Sequence, residues 1–235
     1  MTTMIRSHVP PGAGASFAPA VVGLYDDFIT ASISGTADLA QWLLTGTAAT
    51  ATLKDSARAS DLKAGPGVLT LATVDTAQAS LQLNGESFRL MQGKRLWAGI
   101  RLALLDIDAT QLWFGLSLSD TTLLAGQPSD FVGFLNVAAT NAIKVSSAKA
   151  SSATLTDTGK IWDVDGAIRV LTFEWDGRNR LTYFVDNVKV HQSIVNNTEN
   201  NNNLPNAQDL TLGVEILGAA TESVEIDYIY CFMER

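Results

Sequence analysis

From Tyr25 onward the chain alternates apolar and polar residues with a period of two, the signature of half-buried strands. The cleanest case is Leu112, Phe114, Leu116 and Leu118, interleaved with Gln111, Trp113, Gly115 and Ser117. Ile100, Leu102 and Leu104 alternate with Arg101 and Ala103, and an apolar run at 68–74 reads as a further strand. Leu81 and Leu83 flank Gln82, and Asn84-Gly85 follows as a hairpin signal, because both central residues of a type I′ turn need positive φ. Phe88 and Leu90 then predict the return strand. Further on, Phe131–Val137 and residues 143–145 read as strands around Ala138-Ala139-Thr140-Asn141. Leu171, Phe173 and Trp175 predict a strand that ends in the turn pair Asp176-Gly177. Leu181, Tyr183 and Val185 predict the next, and Asp186-Asn187 turns it into Val188 and Val190. Leu210, Leu212, Val214 and Ile216 alternate, and Val224, Ile226, Tyr228, Tyr230 and Phe232 close the chain as one strict alternation.

Helical signal is confined to 36–44, which reads equally as two helical turns or as loop then strand. About a dozen short strands separated by turn signals predict an all-β, antiparallel sandwich rather than a βαβ fold. Residues 1–22, with Pro10-Pro11-Gly12 and many small residues, show neither period and predict an extended N-terminal arm. Residues 23–235 predict one sandwich domain, since no shift in composition divides them. The run 196–203 predicts a polar loop, in which Asn196-Asn197-Thr198 is formally a glycosylation sequon.

Composition narrows the classes of function. Sixteen Lys and Arg against 24 Asp and Glu give a formal net charge of −8, which argues against nucleic acid as a partner. One cysteine removes a disulfide framework, and two histidines leave little for a His-based metal site. Charged residues are 17% of the chain, below the usual quarter or so, which suits equally a surface that packs on other copies or partners and a secreted or thermally undemanding β-protein. No signal-peptide core and no membrane span is expected.

The segment 170–190, Val-Leu-Thr-Phe-Glu-Trp-Asp-Gly-Arg-Asn-Arg-Leu-Thr-Tyr-Phe-Val-Asp-Asn-Val-Lys-Val, resembles the concanavalin A-like sandwiches of the laminin-G and glucanase type. Ser223-Val-Glu-Ile-Asp-Tyr-Ile-Tyr230 is similar to the closing strand of that family. The resemblance implies two curved antiparallel sheets in jelly-roll order. The chain departs from it at Asn187, where the family usually has Gly, though Asn also tolerates positive φ. The segment 112–134 is similar to structural proteins of tailed-bacteriophage particles. That implies a virion protein, assembled in the host cytoplasm, which decorates the capsid and packs on the major capsid protein and on copies of itself. The alternative is a lectin-like module that binds surface glycans. A glycoside hydrolase ranks behind both.

Candidate chemistry is sparse, and the expectation is a protein without catalytic activity or cofactor. Glu225-Ile226-Asp227 begins like the Glu-x-Asp-x-x-Glu of laminarinase-type enzymes, but Tyr230 stands where the third carboxylate would be. Glu225 and Asp227 are therefore expected on the solvent face of a half-buried strand. Asp106-Ile107-Asp108 and Asp163-Val164-Asp165-Gly166 place hard oxygen donors at alternate positions, as calcium ligands or as ordinary turn carboxylates. Cys231 and His191 lack an activating context, and His8 falls in the arm. Trp113 lies opposite in face to Leu112 and Phe114, so it projects away from the core. It is a candidate to grip a sugar ring, or to be buried at an interface or beneath a loop such as 121–130. Trp42, Trp97, Trp162 and Trp175 are expected as core or edge packing.

Overall fold

The computed structural model describes residues 21–28, 33–34, 41–46, 49–54, 67–74, 77–120, 122–124, 126, 128–194, 204–205 and 208–235. Sixteen strands occur among them. The first six are β1 (Val21–Asp26), β2 (Ile33–Ser34), β3 (Trp42–Thr45), β4 (Thr50–Lys54), β5 (Val68–Ala72) and β6 (Gln78–Leu83). Then follow β7 (Leu96–Leu104), β8 (Thr110–Ser117), β9 (Phe131–Val137), β10 (Ala142–Lys149) and β11 (Ser152–Ile161). The last five are β12 (Ile168–Trp175), β13 (Arg180–Val185), β14 (Val188–Ile194), β15 (Thr211–Gly218) and β16 (Ser223–Glu234).

Two sheets face each other. Sheet A runs β14-β13-β12-β7-β16-β5-β4, with β1 joined to the C-terminal half of β16. Sheet B runs β11-β10-β9-β8-β15-β6-β3-β2. All pairings are antiparallel except β2 with β3. The alternation explains the core. Leu112, Phe114 and Leu116 of β8 and Leu212, Val214 and Ile216 of β15 face Ile100 and Leu102 of β7 and Leu171 and Phe173 of β12 in one buried cluster. Aromatic contacts join the sheets: Phe134 of β9 meets Tyr183 of β13 edge-on at 5.4 Å, and Phe114 of β8 lies 6.2 Å from Phe173 of β12. Such pairs add about 0.5–1.5 kcal/mol each beyond the area they bury. Asp26 of β1 ties the sheets at another point, accepting from Trp42 Nε1 on β3 at 2.6 Å and from the Phe28 amide at 2.7 Å.

Most turn signals hold. Asp186 and Asn187 have φ of 51° and 64°, both positive as a type I′ turn requires, and join β13 to β14. Asn141 has φ 51° where the short 3₁₀ turn Ala138–Thr140 meets β10. Asn84-Gly85 is a correction: no return strand follows. Instead the Asn84 amide donates to the Gln41 carbonyl, and Phe88 forms a single bridge to Leu210. Phe88 and Leu90 are buried all the same, so their apolar character fills the core without a ladder. Of the ambiguous 36–44 stretch, the described part is strand from Trp42. Val21 and Val22, placed in the arm by the sequence, open β1; residues 1–20, His8 and the 196–203 loop lie outside the described residues.

The closing strand carries the largest correction. The strict alternation put Tyr228, Tyr230 and Phe232 on the face of Val224 and Ile226. A bulge at Asp227 breaks the register against β7, so that Ile226 pairs with Leu102 and Tyr228 with Arg101. One extra residue exchanges the two faces beyond it. Ile229 and Cys231 therefore join Val224 and Ile226 in the core, and Tyr228, Tyr230 and Phe232 turn outward.

Candidate functional site

Sheet B presents Trp113 of β8, Glu215 of β15, Ser80 and Gln82 of β6 and Leu135 of β9 to its outer side; Leu135 pairs with Trp113, Trp113 with Glu215, and Glu215 with Ser80. Leu123, in the connection between β8 and β9, lies over this row. Leu123 packs with Trp113, Phe131, Leu135 and Ala148 in a cluster separate from the inter-sheet core. Glu215 holds the segment down: its carboxylate accepts from the Leu123 amide at 2.9 Å and the Leu124 amide at 2.8 Å. At the other rim Gln82 donates to the Asp120 carbonyl and accepts from the Asp120 amide at 3.2 Å. Asp120 in turn accepts from the Thr122 amide, which shapes the turn.

Trp113 thus points away from the core, as its register requires, but it is 2% exposed. The sugar-gripping role at Trp113 is corrected on that ground: its ring is covered by Leu123. Glu215 was not singled out by sequence, because a lone Glu in an alternating strand reads as an exposed position. Burial raises its pKa, against the lowering pull of the Leu123 and Leu124 amides and the Ser80 hydroxyl, and Asp120 raises it further. A carboxyl of that kind can serve as a general acid. Here both oxygens are engaged by the covering segment, so the arrangement works as a latch.

Asp165 meets Asp106 and Asp108 at one end of the sandwich, whereas Asp163 pairs with Arg169. Asp165 accepts from the Ile107 amide at 2.9 Å, and Asp106 accepts from the amides of Asp108 and Ala109 at 3.1 Å. Glu222 stands near them; burial first, then Asp106 and Asp165, raise its pKa, opposed by the Thr110 hydroxyl. The carboxylates of Asp106, Asp108 and Asp165 are occupied by backbone and Asn141 donors, as turn carboxylates are. Among the described residues no three His, Cys, Asp or Glu side chains form a group able to hold a metal ion.

Glu225 is also corrected: it is buried, at 1% exposure, not on a solvent face. Asp227 sits in the bulge, half-exposed and paired with Arg101. Cys231 is fully buried and its thiol pKa is pushed up by burial, which leaves it a core residue. His191 packs on Tyr183 at 5.9 Å, and burial lowers its pKa.

Sheet A turns a different surface outward. Tyr25, Tyr228, Tyr230 and Phe232 form a row, with Trp97 beside Phe232 and the Arg95 guanidinium 5.2 Å above the Trp97 ring. Trp97, expected in core or edge packing, is half-exposed. Sequence reasoning missed this row because the bulge was not visible in the alternation; the apolar Ile229 and Cys231 in the intervening positions were the available signal.

No family model and no curated protein matches the chain. Solved structures do. A protein of unknown function from Shewanella oneidensis MR-1 aligns with a TM-score of 0.61 at 15% identity, over 93% of this chain and 89% of that one. The endo-1,3-β-glucanase of Streptomyces sioyaensis aligns at 0.60 and 13% identity, over 94% and 99%. The metal-free carbohydrate recognition domain of Emp46p aligns at 0.52 and 16% identity, over 87% and 93%. The expectation of a protein without catalytic activity is corrected by the second of these. A fold shared along nearly its whole length with an endo-glucanase leaves enzymatic function open, and one incomplete Glu-x-Asp-x-x-Glu strand is no ground to exclude it. What the likeness shows is architecture: two antiparallel sheets in a concanavalin A-like jelly-roll sandwich, a fold shared by glycoside hydrolases and lectins.

Proposed function

We propose that the chain is a structural component of a tailed-bacteriophage particle, a capsid decoration protein that packs on the major capsid protein and on other copies of itself. The observation that carries this reading is the work done by the segment similar to such proteins. Residues 112–134 span most of β8, the connection and the first part of β9, and Leu123 covers Trp113 on the outer side of sheet B, held there by Glu215 of β15. A face closed by the chain's own residues is a wall, suited to packing and durability.

A second observation supports assembly. Leu155, Ile161, Val164, Val188 and Ile194 are between 49% and 61% exposed, five of the eight large exposed apolar side chains among the described residues. All five lie on β11, β14 or the connection after β11, where the edges of the two sheets meet. Edge strands carrying apolar side chains are ready surfaces for a neighbour. Low charge density agrees with this.

The test is co-sedimentation with heads from phage lacking this chain. The expected result is saturable binding, reduced at least tenfold by Ile161→Asp with Val188→Asp. Binding to no head, or a gene neighbourhood without capsid or portal genes, overturns the reading.

A further inference from the structure

The outer face of sheet A carries a row of four aromatic rings. Ring centroids from Tyr25 to Tyr228, Tyr228 to Tyr230, and Tyr230 to Phe232 are 5.8, 6.2 and 5.5 Å apart, with planes within 27–30° of each other. Two glycines let rings lie down across neighbouring strands. A Cβ on Gly99 of β7 would stand 2.6 Å from the Tyr230 ring, and one on Gly23 of β1 would stand 2.1 Å from Phe232 Cδ1. Tyr25 is 54% exposed, Tyr228, Tyr230 and Trp97 are half-buried, and Phe232 is buried.

We propose that this face binds an extended, uncharged polysaccharide, whose sugar rings lie in succession on Tyr25, Tyr228 and Tyr230, with the buried Phe232 supporting the end of the row. The electron-rich face of an aromatic ring attracts the weakly positive C–H face of a sugar, and a phenol adds a hydroxyl able to donate and accept. Those phenols stay protonated at neutral pH: burial raises the pKa of Tyr25 and Tyr228, and that of Tyr230 to about 12.

Charge selects the class. Two ion pairs flank the row: Arg101 pairs with Asp227 beside Tyr228, and Arg95 pairs with Glu174 at 2.9 Å beside Trp97, while Asp27 lies close enough to Tyr25 to act on it. A charged ligand meets groups whose charge is already largely offset and gains little net attraction, whereas sugar hydroxyls can hydrogen-bond to both pairs. Three members of the row stand on β16, which is paired on both sides, and Tyr25 stands on β1, which is paired with β16, so binding orders little backbone. None of this requires a capsid partner, and it holds or fails apart from the virion role.

Affinity electrophoresis of the full chain in gels cast with a neutral β-glucan, a galactomannan or a xylan tests it, with alginate as the anionic comparison. Retardation by at least one neutral polymer is expected. Tyr25→Ala and Tyr228→Ala should each weaken it about three- to tenfold, with thermal midpoints confirming that both variants fold. Tyr25 is the safer site, because its ring is mostly outside the core. Four results overturn the proposal: no retardation in any neutral gel, retardation unchanged in both variants, stronger retardation by alginate, or a wild-type oligomer that Tyr25→Ala converts to monomer.

Discussion

On sheet B, Trp113 points away from the inter-sheet core and is 2% exposed; on sheet A, Tyr25 also points away from the core and is 54% exposed. Both sit on strands of the same sandwich, and both have aromatic or apolar neighbours on their own face. The difference comes from one connection. The β8–β9 segment lies back over sheet B and is fastened by Glu215, while on sheet A the row at Tyr25, Tyr228 and Tyr230 stays open. Outward orientation is a property of strand register, but exposure depends on what a distant piece of chain does.

The largest way to break this contrast is Trp113→Ala. It removes the floor on which Leu123 packs and should cost about 3–5 kcal/mol in urea unfolding, as for other buried tryptophans. Proteolysis within 118–130 should accelerate in the same variant. Tyr25→Ala, on the open face, should stay within about 0.5 kcal/mol of wild type.

Glu215→Ala comes next. It leaves the amides of Leu123 and Leu124 without their acceptor, at about 1–3 kcal/mol for each buried donor left unpaired. Amide hydrogen exchange at those two residues should rise while the strands of sheet A keep their protection. Glu215→Gln should lose less, since its carbonyl oxygen can still accept from one amide.

Deleting Asp227 probes the open face. The bulge adds one residue to β16, so its removal leaves Ile226 followed by Tyr228 and keeps every downstream side chain on its present face. The variant should fold, at a cost on the order of 1 kcal/mol. Tyrosine fluorescence quenching by acrylamide should stay at the wild-type level. A collapse of the fold, or tyrosines newly shielded from acrylamide, would show that the bulge does more than set register.

The smallest effect is the pH dependence of the latch. Glu215 has its pKa raised in the folded state, so its contribution is fully present below the unfolded value of about 4.5 and is lost as pH rises through the folded value. Wild type should therefore lose stability relative to Glu215→Gln as pH climbs from about 4.5 toward neutrality. His191 has the opposite sign, its pKa lowered by burial: its contribution is present above about 6.5 and declines as pH falls through the folded value. A difference between wild type and Glu215→Gln that is flat across this window would remove the buried-carboxylate account.

Much of the architecture is legible in the alternation of the chain itself. The strands at Leu112, Phe114 and Leu116, at Leu171 and Phe173, and at Leu212 and Val214 stand where alternation placed them, because one buried face forces a period of two. Asp186-Asn187 turned as expected, since few residues accept positive φ. β11 was illegible: nearly all of it is exposed at a sheet edge, so no buried face marks its sequence. Asn84-Gly85 misled because a turn dipeptide reports local backbone tolerance, and the partner that Phe88 found was Leu210, far along the chain.

The candidate sites divide in the same way. Sequence alone determined that Trp113 faces away from the core and that the chain folds as an antiparallel sandwich, both consequences of local periodicity. Tertiary structure decided that Trp113 is covered, that Glu215 is a buried latch, and that the bulge at Asp227 sends Tyr228, Tyr230 and Phe232 outward to meet Tyr25. The reason is physical: a strand's own pattern sets which side each residue takes, while burial and register depend on contacts between residues tens of positions apart.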